Sequence, residues 1–169
     1  MTRHWVQPIV AQTLRPETVA AEVYERLPNL PLANDYLNQE GEVASDNTLL
    51  SRFIRYHQYE KDRPTVFRLD WKLTLADYLG ANEPIVDASR YPGYSTLQNS
   101  PRDQDIAAIK NLNLRQRNEL VEILINIYDP NGRFSLAQPE EQTPSEPAPS
   151  PRRATPSLPK PGEAELLLP

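Results

Sequence analysis

Val19, Val23 and Leu27 fall four residues apart, with Ala20 and Tyr24 beside them, so the chain from Pro16 onward lays down one apolar stripe of helical period. Pro16 suits a first helical position, where an absent N–H costs no hydrogen bond. Glu17 then places a carboxylate against the positive end of the helix dipole. Pro28 and Pro31 end that helix, and residues 28–44 read as a loop or short irregular piece. A second, longer helix is predicted from a cap at Ser45 or Asp46 to about Asp62. Leu49, Leu50, Phe53, Ile54 and His57 line one of its faces, and Arg52, Arg55 and Gln58 the other.

Two periods compete in the next segment. Phe67, Leu69, Trp71 and Leu73 alternate with Arg68, Asp70 and Lys72, yet Leu75, Tyr78 and Leu79 continue at helical spacing. The alternation predicts a strand from Val66 to Leu73 followed by a short helix capped by Thr74, with Asp77 in the reciprocal position; the alternative is one helix from Pro64 to Leu79. A strand here needs a partner, and only the stretches Trp5 to Val10 and Pro84 to Val86 offer one.

Gly80 to Ser100 is a connection with Pro84, Pro92 and Gly93 in it, long enough to suggest function. Ser100 is expected to cap the following helix, with Pro101 first in it and Asp103 completing a capping box. After a turn at Asn111 to Asn113, a last helix runs from Leu114 to Tyr128 and stops at Asp129-Pro130-Asn131-Gly132. In residues 120–128 only Glu122 and Asn126 are polar, and with Arg115 and Glu119 they form a narrow stripe. A helix so apolar around its circumference is expected to be buried on most sides. The fold class is therefore mainly α: a small helical domain of about five helices over residues 1–136, with room for one short strand pair.

Composition changes at the C-terminal end. Half of the 18 prolines lie in residues 137–169, where Glu, Ser, Thr and Gln replace aromatic and branched residues, so this stretch is expected to be a disordered, partly polyproline-like tail. Residues 1–136 are left as ordinary globular material, able to bury roughly two-thirds of their unfolded surface. The net charge of −5 divides into −3 over residues 1–136 (15 basic, 18 acidic) and −2 over the tail (3 basic, 5 acidic), which disfavours an unspecific grip on nucleic acid or anionic lipid. The absence of cysteine excludes disulfides, thiolate metal sites and cysteine nucleophiles. The first residues carry no apolar run of signal-peptide length, and a soluble cytoplasmic protein without membrane insertion is expected.

Candidate chemistry is sparse. His4 and His57 are the two histidines and stand far apart, and His57 on an apolar helix edge reads as a packed, hydrogen-bonded residue rather than a base. Asp103 and Asp105 form a D-x-D pair, but carboxylates belong in a first helical turn for the dipole alone, and a hard cation wants more oxygens than two side chains supply. Among 5 glycines there is no phosphate-binding pattern and no nucleophile elbow, so neither a catalytic residue nor a cofactor or metal site is assigned.

Three readings of function follow, in order of preference. The first is a non-enzymatic protein-interaction module, an adaptor or assembly factor, whose partner is a protein. Arg90, Tyr91 and Tyr94 sit on a proline-stiffened turn and belong to residue types enriched among interface hot spots. Leu166, Leu167 and Leu168 at the end of the tail add a short apolar recruitment motif on a semi-extended tether. The second is a helix-turn-helix regulator over residues 101–128, in which Arg115, Gln116, Arg117 and Asn118 would read base edges. Four basic and four acidic groups cancel across that segment, however, and leave phosphate attraction missing. The third is a cofactor-free enzyme of unknown type. If the boundary is placed correctly, limited proteolysis cuts the chain after about Leu136 and leaves a stable core. A 1–136 fragment that no longer melts cooperatively would show instead that the tail belongs to the fold.

Overall fold

The computed structural model describes residues 14–134, which contain five α-helices: α1 (Pro16–Arg26), α2 (Leu49–Arg55), α3 (Arg68–Leu79), α4 (Arg102–Asn111) and α5 (Leu114–Tyr128). The expected tail with Leu166, Leu167 and Leu168 lies outside the described residues, as do His4 and the strand candidate Trp5 to Val10. The fold is mainly helical. Extended pairing among the described residues is confined to two isolated bridges, Leu37 with Val43 and Asn38 with Leu97.

α1 begins at Pro16 and buries Val19, Ala20 and Val23, as its stripe predicts. α1 packs on α2 and α5, and α3 packs on α4 and α5. α5 keeps its predicted limits. Leu120, Val121, Ile123, Leu124 and Ile125 are buried, Arg115, Glu119 and Asn126 remain exposed, and Glu122 pairs with Arg68 of α3. Its start is a reciprocal capping box in which Gln116 N donates to Asn113 Oδ1 and Asn113 N donates to Gln116 Oε1, both at 2.9 Å. No helix among the described residues is long and apolar enough to cross a membrane.

Several local expectations are corrected. α2 is capped by Thr48, not by Ser45 or Asp46: Thr48 is extended and its side chain accepts from Ser51 N at 3.2 Å. The helix does not continue regularly to Asp62 but widens into one π turn over Tyr56–Glu60, closed by Lys61 N donating to Tyr56 O at 3.0 Å. The strand over 66–73 does not form, and Arg68–Leu79 is a single helix. The alternating residues divide differently within it: Trp71 is fully buried, whereas Leu69 is 62% exposed. Thr74, expected as a cap, is buried in mid-helix. Ser100 does not cap α4; Pro101 precedes its first residue, without a side-chain cap.

The largest correction concerns Arg52. Residues 49–54 are all buried, so α2 has no solvent face for a guanidinium to occupy. Arg52 turns inward instead, onto Asp105 of α4, with Nε donating to Oδ2 at 2.6 Å and Nη2 to Oδ1 at 2.8 Å. Nη2 also donates to Ala33 O at 2.8 Å, and Nη1 to Asn47 O and Asn47 Oδ1. Both side chains are fully buried. Asp105 is thus an interior counter-ion, not the solvated first-turn carboxylate expected from the D-x-D spacing; Asp103 alone is exposed, beside Arg102. Removing one member of a buried ion pair strands the other charge. Asp105→Ala is expected to lower unfolding free energy by about 3–5 kcal/mol, measured by urea denaturation, and the double change Arg52→Met with Asp105→Leu to recover most of that loss.

Candidate functional site

The connection between α3 and α4 is held in place at both ends. Gly80 ends α3 in the left-handed region, at φ 76°. Asp77 Oδ1 then accepts from Asn82 Nδ2 at 2.8 Å and from Glu83 N at 3.0 Å, while its Oδ2 accepts from Arg63 Nη1 at 2.6 Å. Arg102 at the start of α4 donates back to Val86 O at 2.5 Å. Asp87 caps a single 3₁₀ turn, Ala88–Arg90. Gly93 is left-handed at φ 96°, and a Cβ there would lie 3.1 Å from Leu97 and 3.3 Å from Pro101, so the position requires glycine on two counts.

Tyr91 fastens the middle of the loop. Its side chain is 2% exposed, its hydroxyl donates to Asp105 Oδ2 at 2.7 Å, and Tyr78 OH lies 2.8 Å from it. Because the Tyr91 proton goes to the carboxylate, Tyr78 is the donor between the two phenols. Burial pushes both hydroxyls well above their ordinary pKa and keeps them protonated for this role. The expectation that Tyr91 meets a partner is therefore corrected: its ring is spent on the core.

Arg90 and Tyr94 flank this anchor and are exposed, Tyr94 at 50%. Arg90 Nε lies 3.3 Å from Glu60 Oε2, which connects the loop to the π turn. Between them is a hollow of about 110 Å³ lined by Tyr56, Glu60, Lys61, Ile85, Val86 and Arg90. Lys61 Nζ stands 5.7 Å from the Tyr56 ring centroid and pairs with Glu83, and Val86 at the rim is 79% exposed. Sequence reasoning missed Glu60, Lys61 and Val86. The apolar pair Ile85-Val86 in an otherwise polar loop is the available signal, and in the sequence it reads only as a strand candidate.

The base-reading candidates on α5 separate into two pairs. Arg115 and Asn118 are exposed. Gln116 is committed to the capping box, and Arg117 Nη2 donates to Lys110 O at 3.0 Å, closing the end of α4.

His57 sits in the π turn and is fully buried, stacked on Trp71 with ring centroids 3.6 Å apart and planes at 9°. Nε2 lies 3.1 Å from Pro64 O and Nδ1 lies 2.8 Å from Thr74 Oγ1. A carbonyl can only accept, so the ring proton of the neutral imidazole belongs on Nε2, and Nδ1 competes with Asp70 O, 3.1 Å from Thr74 Oγ1, for the single hydroxyl proton of Thr74. No group of three or more acidic or histidine side chains among the described residues is arranged to hold a metal ion. No protein-family model, curated protein or solved structure matches the chain.

Burial holds the His57 pKa down to about 4, with the Pro64 carbonyl opposing and the Arg63 cation reinforcing the depression. Unfolding restores a value near 6.5, so the unfolded chain binds the extra proton between these limits. Stability from this residue is complete above pH 6.5 and drains away on acidification toward pH 4, by an amount on the order of 3 kcal/mol. Denaturant titrations of the wild type and His57→Gln across that window check this: the variant is expected to show a flatter pH dependence, and equal slopes would assign the acid sensitivity elsewhere.

Proposed function

We propose that the chain is a non-enzymatic protein-interaction module, an adaptor or assembly factor that docks a protein partner on the surface around Arg90, Val86 and Tyr94. The observation that carries this reading is the division of labour in one short loop. Tyr91 is tied into the core beside Asp105, while Arg90 and Tyr94 on either side of it are displayed. Side chains presented from backbone that is already ordered lose little further conformational entropy when they bind. Arginine and tyrosine together supply a directional charge and a broad amphipathic face. The hollow beside them offers an apolar floor from Ile85 and Tyr56 within a rim of charge.

The buried titratable groups support the same reading through how their polar atoms are used. Arg52, Asp105, His57 and Asp77 bond to one another's neighbourhoods and to backbone, and so act as structural fasteners. For a helix-turn-helix regulator, support is weaker, since Gln116 and Arg117 would have to leave their present hydrogen bonds to reach a base. In this proposal the expected tail contributes a second contact through Leu166, Leu167 and Leu168, and the setting is cytoplasmic.

A photo-crosslinking amino acid placed at position 95, beside Tyr94, tests the surface. Crosslinked partner is expected to fall by about tenfold or more when Arg90→Ala and Tyr94→Ala are combined, with the melting temperature unchanged, because hot-spot truncations each cost ~2 kcal/mol or more of binding. Arg115→Ala is expected to leave it intact. Unchanged crosslinking in the double variant, or its loss in Arg115→Ala alone, refutes the assignment of the surface.

A further inference from the structure

A second surface, separate from the Arg90 loop, lies where α1 passes the extended segment leading into α2. The groove between them has a volume of about 460 Å³, and Ala21, Tyr24, Glu25, Leu32 and Asp46 are among its lining residues. Its walls are fixed. Tyr24 OH donates to Pro31 O at 3.0 Å and accepts from Leu50 N at 3.3 Å, Leu49 N donates to Leu32 O at 2.8 Å, and Asn34 Nδ2 donates to Ser45 O at 3.1 Å. The groove is thus held open by the same bonds that start α2.

Its chemistry is one-sided. Three carboxylates line it, those of Glu17, Glu25 and Asp46, and no lysine, arginine or histidine is among the lining residues. Glu17 is paired with Arg55, which is not among the lining residues. Glu25 and Asp46 are exposed and make no salt bridge among the described residues. Leu32 meanwhile leaves 48% of its surface uncovered next to Ala21. Two negative charges without a salt bridge among the described residues, around an exposed leucine on a pre-ordered wall, complement one kind of occupant.

We infer that this groove receives a short basic segment of a protein partner, with an apolar side chain seated on Leu32 and Ala21 and flanking lysine or arginine side chains placed against Glu25 and Asp46. The charges orient the segment and speed its arrival, and the apolar contact supplies discrimination from other cationic chains. This inference stands apart from the Arg90 surface, because the two share no lining residue.

The test uses the full chain, labelled with ¹⁵N, and three blocked probe peptides: Gly-Arg-Leu-Arg-Gly, Gly-Arg-Gly-Arg-Gly and Gly-Glu-Leu-Glu-Gly. The basic leucine peptide is expected to shift the amide resonances of Ala21, Glu25, Leu32 and Asp46, with the effect weakening as salt is raised. Its affinity is expected to drop about tenfold in the double variant Glu25→Lys with Asp46→Lys, and about fivefold when its leucine is replaced by glycine. Both substituted residues are exposed, so the variant keeps the wild-type melting temperature. Arg90→Ala with Tyr94→Ala is expected to bind the peptide as the wild type does, which keeps this result independent of the other surface. Any of four results overturns the inference: no shift up to millimolar peptide, shifts spread over the acidic surface in general, an equal response to the acidic peptide, or binding indifferent to the two lysine substitutions.

Discussion

A guanidinium and a carboxylate with no exposure to water, Arg52 and Asp105, set the terms for the rest of the structure. Taking two charges out of water costs several kcal/mol each, and their mutual attraction offsets this only when the geometry is good and the remaining donors and lone pairs are used. Here they are used. The fork of Arg52 meets Asp105 on two atoms and spends its other donors on Ala33 and Asn47, while the carboxylate accepts a third hydrogen bond from Tyr91. Two regions of the chain that are remote in sequence converge on this one pair: α2 with the extended segment before it, and α4 with the loop before it. A helical bundle held by apolar contact alone would tolerate sliding of these parts, but a bidentate pair has one register.

A second polar cluster does for α3 what the first does for α4. Arg63 donates to Thr74 and Asp77, Asp77 collects the backbone and side chain of the residues beyond Gly80, and Thr74 meets His57. His57 then lies flat on Trp71, whose other aromatic neighbours are Phe53, with ring centroids 6.0 Å apart, and Tyr128, at 5.8 Å. The π turn fits this arrangement. One additional residue in the turn re-aims the side chains after Arg55, so that Tyr56 faces Tyr78 and His57 faces Trp71, and both are buried. The same widening carries Glu60 and Lys61 to the rim of the hollow beside Arg90. Core packing and surface display are therefore consequences of one irregularity in the helix.

The elements that sequence patterns reveal are those governed by local chemistry. Pro16 with Glu17, and Asp129-Pro130-Asn131-Gly132 after a long apolar run, mark helix ends whatever surrounds them, and α1 starts and α5 ends where these signals say. Phe67 to Leu73 misleads because period two and period 3.6 agree on Trp71 and disagree only at Leu69 and Leu73, and the tertiary environment decides which of these may be exposed. Arg52 is illegible for a related reason. A charged residue among apolar ones reads as an exposed face unless its partner is known, and Asp105 stands 53 positions later, where the helix dipole already accounts for an acid. For the candidate surfaces, Arg90 and Tyr94 were recoverable from residue type and turn chemistry. Tyr91 was assigned with them because nothing local distinguishes a tyrosine that reaches a buried carboxylate from one that reaches solvent. The acidic groove combines Glu25 with Asp46 across a loop and leaves no trace in either segment alone.

Anchoring and display are physically linked in this molecule. A binding loop without regular structure would ordinarily be among the least stable parts of a domain, and a partner would have to restrict it at an entropic cost. Here each exposed candidate sits next to a hydrogen-bonded anchor: Arg90 and Tyr94 around Tyr91, Val86 on the carbonyl held by Arg102, Leu32 on the carbonyl held by the first residue of α2. The polar interior that makes the core expensive to assemble is what orders these surfaces before anything binds to them. Disturbing Asp105 would then reach the Arg90 surface through Tyr91 even though Asp105 itself touches no solvent. Under the docking proposed for the Arg90 surface, an interior substitution would weaken binding there without altering any exposed residue, and that separates a loop ordered by the core from one that is merely connected to it.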